Sequence, residues 1–118
     1  IGRAKTIGIC IEDVVVDPLV LTVGANSDAG AITLKTIELV RNKFGVNMSM
    51  GASNVSFGMP NRPLLNHSFM SLAMGYGATS AITNPLKMTS VIRSTDLLLG
   101  RDKRGKRYLK YIRSQNMN

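Results

Sequence analysis

Apolar and polar positions alternate along this chain in blocks of two kinds. Val14-Val15-Val16 inside the stretch Glu12 to Thr22 is a short β-branched run, closed by Asp17-Pro18. Such a run, ended by a polar residue and proline, predicts a buried strand that stops at Asp17. After a loop of small polar residues from Gly24 to Gly30, the apolar spacing changes to that of a helix over Ala29 to Phe44. Ile32, Ile37, Val40 and Phe44 form its predicted inward stripe, Asp28 its N-cap, and Gly45 its stop.

The alternation then repeats. Val46 to Met50 predicts a second strand, followed by the loop Gly51-Ala52-Ser53-Asn54-Val55-Ser56-Phe57-Gly58-Met59-Pro60. The next helix carries Pro63 in its first turn, where a missing N–H costs nothing. Leu65, Phe69, Leu72 and Ala73 would face inward, and Gly75 or Gly77 would end it. A third strand over Ala78 to Thr83 closes at Asn84-Pro85. A helix from Leu86 to Leu99 follows, with Val91, Ile92, Leu98 and Leu99 inward and Gly100 as its stop.

Strand and helix in strict alternation predict parallel strands joined by helical crossovers. Polar residues recur at the strand ends: Asp17, then Ser53 and Asn54, then Asn84. Binding groups converge on the strand C-terminal rim in a (β/α)8 barrel, and also at the strand ends of a doubly wound sheet. Three strands are too few to close a barrel, which takes roughly 200 to 250 residues. The chain has 118 residues and opens on Ile1 rather than methionine, so the reading expects a piece of a longer barrel.

Composition narrows the function classes. The chain is 44% hydrophobic and 19% charged, enough to fill a core. No apolar run approaches the ~20 residues of a membrane span, and no secretory leader pattern is present. The single cysteine, Cys10, cannot form an internal disulfide and is expected to be a small buried hydrophobe. A cytoplasmic protein is expected.

The net charge of +8 is concentrated after Gly100, where Arg101, Lys103, Arg104, Lys106, Arg107, Lys110 and Arg113 face a single acid, Asp102. With Tyr108 and Tyr111 among them, a nucleic-acid surface is one reading. A solvated terminal helix laid down on Tyr108, Leu109, Tyr111 and Ile112 is the blander and preferred one, and a handle for an acidic partner protein is a third.

Most catalytic constellations are missing. One histidine, His67, and one cysteine give no zinc spacing, and no phosphate-binding glycine loop follows a strand. Met48 and Met50 share a strand face, and Met70 and Met74 a helix face, which reads as core packing. There remain neutral amides, one carboxylate and one guanidinium. Asp17 can accept a pair of hydrogen bonds from a guanidine-like heterocycle edge. Asn54 can donate and accept, and Arg62 can bind a carboxylate or stack on a ring. The structural alternatives are equally open at this point: Asp17 caps a loop, Asn54 takes a left-handed turn, and Arg62 is a surface charge.

The segments Val16-Asp17-Pro18-Leu19-Val20, Gly51 through Arg62, Leu65-Asn66 and Ala81-Ile82-Thr83-Asn84-Pro85 together resemble the methyltetrahydrofolate:corrinoid methyltransferases. Those enzymes share a pterin-binding barrel with dihydropteroate synthase and the folate domain of cobalamin-dependent methionine synthase. The resemblance covers about residues 7 to 100 and implies strands six to eight of a (β/α)8 barrel, with 101–118 as a basic helical tail outside it. By it, Asp17 would bind the pterin edge, Asn54 would hydrogen-bond near N5, and Arg62 would contact the folate. Ser53 and Asn84, at the strand ends, join the expected pterin-binding set. The implied reaction moves a methyl group between methyltetrahydrofolate and a cobalamin (corrinoid) carried by a partner protein, with small rim residues Gly24, Gly51 and Gly58 leaving room for that partner. The strand-seven lysine of dihydropteroate synthase has no counterpart between Met48 and Phe57. A homodimer formed across the open sheet edges is also expected. The competing readings are a non-catalytic pterin-binding fragment and a basic nucleic-acid-binding module.

Overall fold

In the computed structural model, which describes residues 1–116, the chain order is that of successive strand–helix units. A five-residue helix α1 (Gly2–Thr6) and a 3-10 turn (Ile11–Asp13) precede β1 (Val15–Val16). Then come α2 (Ala29–Phe44), β2 (Asn47–Gly51), a 3-10 turn (Ala52–Ser56), α3 (Arg62–Tyr76) and β3 (Ser80–Ile82). The series ends with α4 (Pro85–Leu98), a 3-10 turn (Lys103–Gly105) and α5 (Lys106–Asn116). Met117 and Asn118, the end of the expected tail, lie outside the described residues.

The chain forms two compact units, Ile1–Ile82 and Thr83–Asn118. In the first, the three strands are parallel and run in the order β1-β2-β3, with Val15 paired to Asn47 and Met50 to Ala81. Sequential order matters. A doubly wound sheet reverses its strand order at a switch point, whereas a barrel wall does not. The two crossover helices α2 and α3 lie against each other. This mixed α/β arrangement fits part of a (β/α)8 wall.

Strand β2 shows why the sheet is two-faced. Met48 and Met50 point to one side and are fully buried, while Asn47, Ser49 and Gly51 on the other side keep contact with solvent. The methionines therefore pack, as their spacing predicts. The flanking strands differ from the expected fully buried type: Val15 is 57% and Ile82 75% exposed, because β1 and β3 are edge strands.

Helix limits follow the expected stops. Gly45 and Gly77 take left-handed backbone at the ends of α2 and α3, with φ of 63° and 115°. The buried stripes are shifted, however. On α2 the buried face is Ala29, Thr33 and Ile37, and Ile32 and Phe44 are exposed. Thr33 can be interior because its hydroxyl is satisfied, donating to the Ala29 carbonyl (2.8 Å) and accepting from the Leu21 amide (3.0 Å). On α3 the face is Phe69, Met70, Ala73 and Met74, with Leu72 exposed. Cys10, expected inside, is exposed.

In the second unit, Met88 and Thr95 are the buried residues of α4, and Leu98 is 85% exposed rather than inward. Helix α5 packs on α4, its Tyr108, Tyr111 and Ile112 half-buried and Lys106, Lys110 and Arg113 exposed on the opposite face. Asp102 anchors the helix start by accepting from the amides of Arg107 (3.1 Å) and Tyr108 (2.9 Å).

Candidate functional site

Parallel strands put all their following loops at one edge of the sheet. In the first unit these are the segment after β1, residues 17–28, and the segment after β2, residues 52–61. Two hydrogen bonds tie them together: the Val23 amide donates to the Val55 carbonyl at 3.0 Å, and Thr22 Oγ1 donates to the Asn54 carbonyl at 2.9 Å. A Cβ at Gly24 would stand 2.7 Å from the Phe57 carbonyl oxygen. Gly24 is thus small because two backbones touch there, and not to leave room for a partner. Gly51 likewise lies under the Asn54 side chain, its missing Cβ 3.1 Å from Asn54 Nδ2.

Asp17 is exposed, and its Oδ1 accepts from the Leu19 amide at 2.9 Å. That bond shapes the turn, in which Leu19 sits at φ 58°. The loop-capping alternative is therefore real, but it uses one lone pair only. Among the described residues Oδ2 has no partner, and a carboxylate can still offer both oxygens to a ligand edge.

Asn54 is exposed, and among the described residues its side-chain amide has no hydrogen-bond partner, while its backbone carbonyl accepts from Thr22 Oγ1. It is not in the left-handed region. The left-handed asparagine of this segment is Asn61, φ 51°, immediately before α3. The left-handed alternative for Asn54 is thereby removed.

Ser53, half-buried, offers its carbonyl to Arg62 Nη2 at 3.1 Å, while its hydroxyl has no hydrogen-bond partner among the described residues. Arg62 is no simple surface charge: Nε donates to Ser56 Oγ at 3.0 Å, and the guanidinium lies 4.8 Å from the centre of the Phe57 ring. Arg62 thus braces the loop and still has N–H donors to spare.

The four residues Asp17, Ser53, Asn54 and Arg62 belong to adjoining segments of one unit. Asn84 belongs to the other, where its Oδ1 caps α4 by accepting from the Leu86 amide at 3.0 Å. Sequence reasoning did not single out Ser56, in the loop, or Asn66, on α3, whose side chains are hydrogen-bonded at 2.6 Å.

A cleft of about 460 Å³ lies elsewhere, lined by residues including Ile1, Ile9, Cys10, Val14, Lys43 and Phe44. Val14 precedes β1 and Phe44 ends α2, so this cleft is at the opposite end of the strands from the polar loops. It contains none of the candidate residues. Among the described residues, no three His, Cys, Asp or Glu side chains gather as a metal site would need.

Comparison with known proteins fits this geometry. The family described as pterin binding enzyme matches residues 1–84, the segment that carries both loops. A methylcorrinoid:tetrahydrofolate methyltransferase of Eubacterium limosum is 32% identical over 116 residues, covering 96% of this chain and 43% of its own length. The chain thus spans less than half the length of that relative. With the family match covering most of the chain, the protein belongs to the pterin-binding enzymes.

Proposed function

We propose that this chain supplies strands six to eight of a pterin-binding (β/α)8 barrel that moves a methyl group between N5 of methyltetrahydrofolate and the cobalt of a corrinoid carried by a partner protein. Residues 1–100 are the barrel portion and 101–118 a basic tail, with α5 within it. The observation that carries the reading is the pair of exposed polar groups, the Asp17 carboxylate with one oxygen engaged by the Leu19 amide and the Asn54 side-chain amide, on bonded loops at one sheet edge. The name of the Eubacterium limosum relative supports the same chemistry.

Asp17 accepts from the N–H and amino group of the pterin edge, with Ser53 as a further polar contact. Arg62 meets the folate with the N–H donors that the loop does not use. In the transfer, the N5–methyl bond breaks as the methyl carbon bonds to Co(I), which is formally oxidised to Co(III). N5 keeps the electron pair and takes up a proton. Because an N5 anion would be a very poor leaving group, hydrogen bonding at N5 must accompany the attack. A neutral amide such as Asn54 can stabilise the changing charge there without a tuned pKa. The reverse transfer uses the same groups.

The corrinoid protein is the macromolecular partner in this reading, self-association across the open edges of β1 and β3 is expected, and the setting is cytoplasmic. The cationic face of α5 keeps nucleic acid as the reading to be excluded. Titration calorimetry of the chain with methyltetrahydrofolate and, separately, with RNA tests the proposal. Folate heat without RNA heat supports it; RNA binding without folate binding overturns it.

A further inference from the structure

Ser56, in the loop between β2 and α3, and Asn66, on α3, are joined to Arg62 in one hydrogen-bonded group. Ser56 is wholly buried, at 0% exposure, in a segment whose neighbours Asn54 and Phe57 are exposed. Arg62 and Asn66 stand one turn apart on the same face of α3. Both reach the same atom. Arg62 Nε donates to Ser56 Oγ at 3.0 Å, and Ser56 Oγ lies 2.6 Å from Asn66 Oδ1. The Ser53 carbonyl is a second, longer acceptor for that hydroxyl at 3.2 Å.

The chemistry of the hub is specific. A hydroxyl has one hydrogen to give and lone pairs to accept, so it alone among small side chains can take the guanidinium bond and donate to the amide oxygen at once. The short contact assigns its hydrogen to Asn66. Arg62 then closes a second bond to the Ser53 carbonyl at 3.1 Å and lies over the Phe57 ring. Two donors in fixed directions and a ring contact hold both the place and the plane of a side chain that otherwise has several free rotors. The same bonds fix Ser53, next to Asn54.

We infer that Ser56 and Asn66 are positioning residues: through Arg62 they fix the guanidinium and the Ser53–Asn54 backbone in the arrangement that receives the pterin. This inference rests on the proposed function. Neither residue need touch the ligand, since Ser56 is buried and its hydroxyl is spent on Asn66 and Arg62.

A double-mutant cycle on the full chain, read as tetrahydrofolate affinity by calorimetry, tests it. Ser56→Ala, which removes the charge-assisted bond from Arg62, should weaken binding by on the order of tenfold, and Asn66→Ala, which removes a neutral bond, by on the order of fivefold. Asn66→Asp keeps the acceptor and should bind within about twofold of wild type. The decisive variant is Ser56→Ala combined with Arg62→Ala: acting through Arg62, it should bind no more weakly than Arg62→Ala alone. Additive losses, or a Ser56→Ala chain that binds like wild type, overturn the inference. Hydrogen exchange at Arg62 Nε, followed by NMR without ligand, separates the two layers of the argument. It should be slow in wild type and fast in Ser56→Ala, and unchanged exchange overturns the lock itself. A wild-type chain with slow exchange that binds no tetrahydrofolate overturns the functional reading instead.

Discussion

Replacing Gly24 by alanine would drive a methyl group against the Phe57 carbonyl oxygen at 2.7 Å, a backbone atom that cannot rotate away. Ordinary contact needs about 0.7 Å more, and the neighbouring Met59 side chain, 3.5 Å from the same point, closes the easier escape. One outcome is that the two loops stay together and carry the overpacking strain, about 1–3 kcal/mol. The other is that they part, losing the Val23–Val55 and Thr22–Asn54 bonds, each worth about 1 kcal/mol. Either route destabilises by about 2 kcal/mol, and the second separates the Asp17 segment from the Asn54 segment. Gly75→Ala is the matched control: it lies within α3 with open space around its Cβ, and should stabilise by about 0.5–1 kcal/mol. Denaturant titration gives the stabilities, and amide exchange at Val23 shows which route is taken. A Gly24→Ala chain as stable as wild type, with Val23 still protected, would refute the reasoning.

Three further outcomes follow from the geometry. Asp17→Asn can keep the Leu19 turn bond through its oxygen while turning an amino group toward the pterin's own donors, so folate affinity should fall by about 2 kcal/mol, on the order of thirtyfold in Kd, with an unchanged melting curve; unaltered affinity removes Asp17 from the site. The Tyr108 amide foremost, against the opposing effect of burial and together with the Arg107 amide and the Arg107 and Arg93 cations, holds the Asp102 carboxyl below the ordinary aspartate value. Its contribution to α5 is therefore complete above that ordinary value and lost as pH falls through the lower folded one; circular dichroism should show helix loss on acidification that Asp102→Asn lacks. The unpaired edges of β1 and β3 should make the chain associate, so sedimentation should shift to larger species with concentration; a monomer at all concentrations contradicts this.

Element order and helix limits were legible because they rest on local chemistry. Gly45 and Gly77 stop helices through backbone angles that other residues resist, and Pro63 sits where helix starts tolerate it. Which face turns inward was less legible. Thr33 is buried because a loop amide and a carbonyl satisfy its hydroxyl, and no apolar periodicity encodes those partners. Leu98 and Ile82 read as core residues, but within the described units nothing covers them. In the candidate site, residue types pointed to Asp17, Asn54 and Arg62, yet they could not show that Asn61, rather than Asn54, takes the left-handed turn. Nor could spacing alone reveal that Arg62 braces the loop: that depends on Ser56 lying under it.

The central claim, that Asn54 serves methyl transfer, is tested most directly by single-turnover kinetics. Grafting this chain in place of the matching part of its Eubacterium limosum relative supplies the remainder of that protein. Transfer from methyltetrahydrofolate to Co(I) cobalamin is then followed optically, alongside folate titration and a melting curve. The account predicts that Asn54→Ala lowers the transfer rate by ~10²- to 10³-fold while folate binding weakens far less. An Asn54→Ala graft that transfers the methyl group at the parental rate would contradict it.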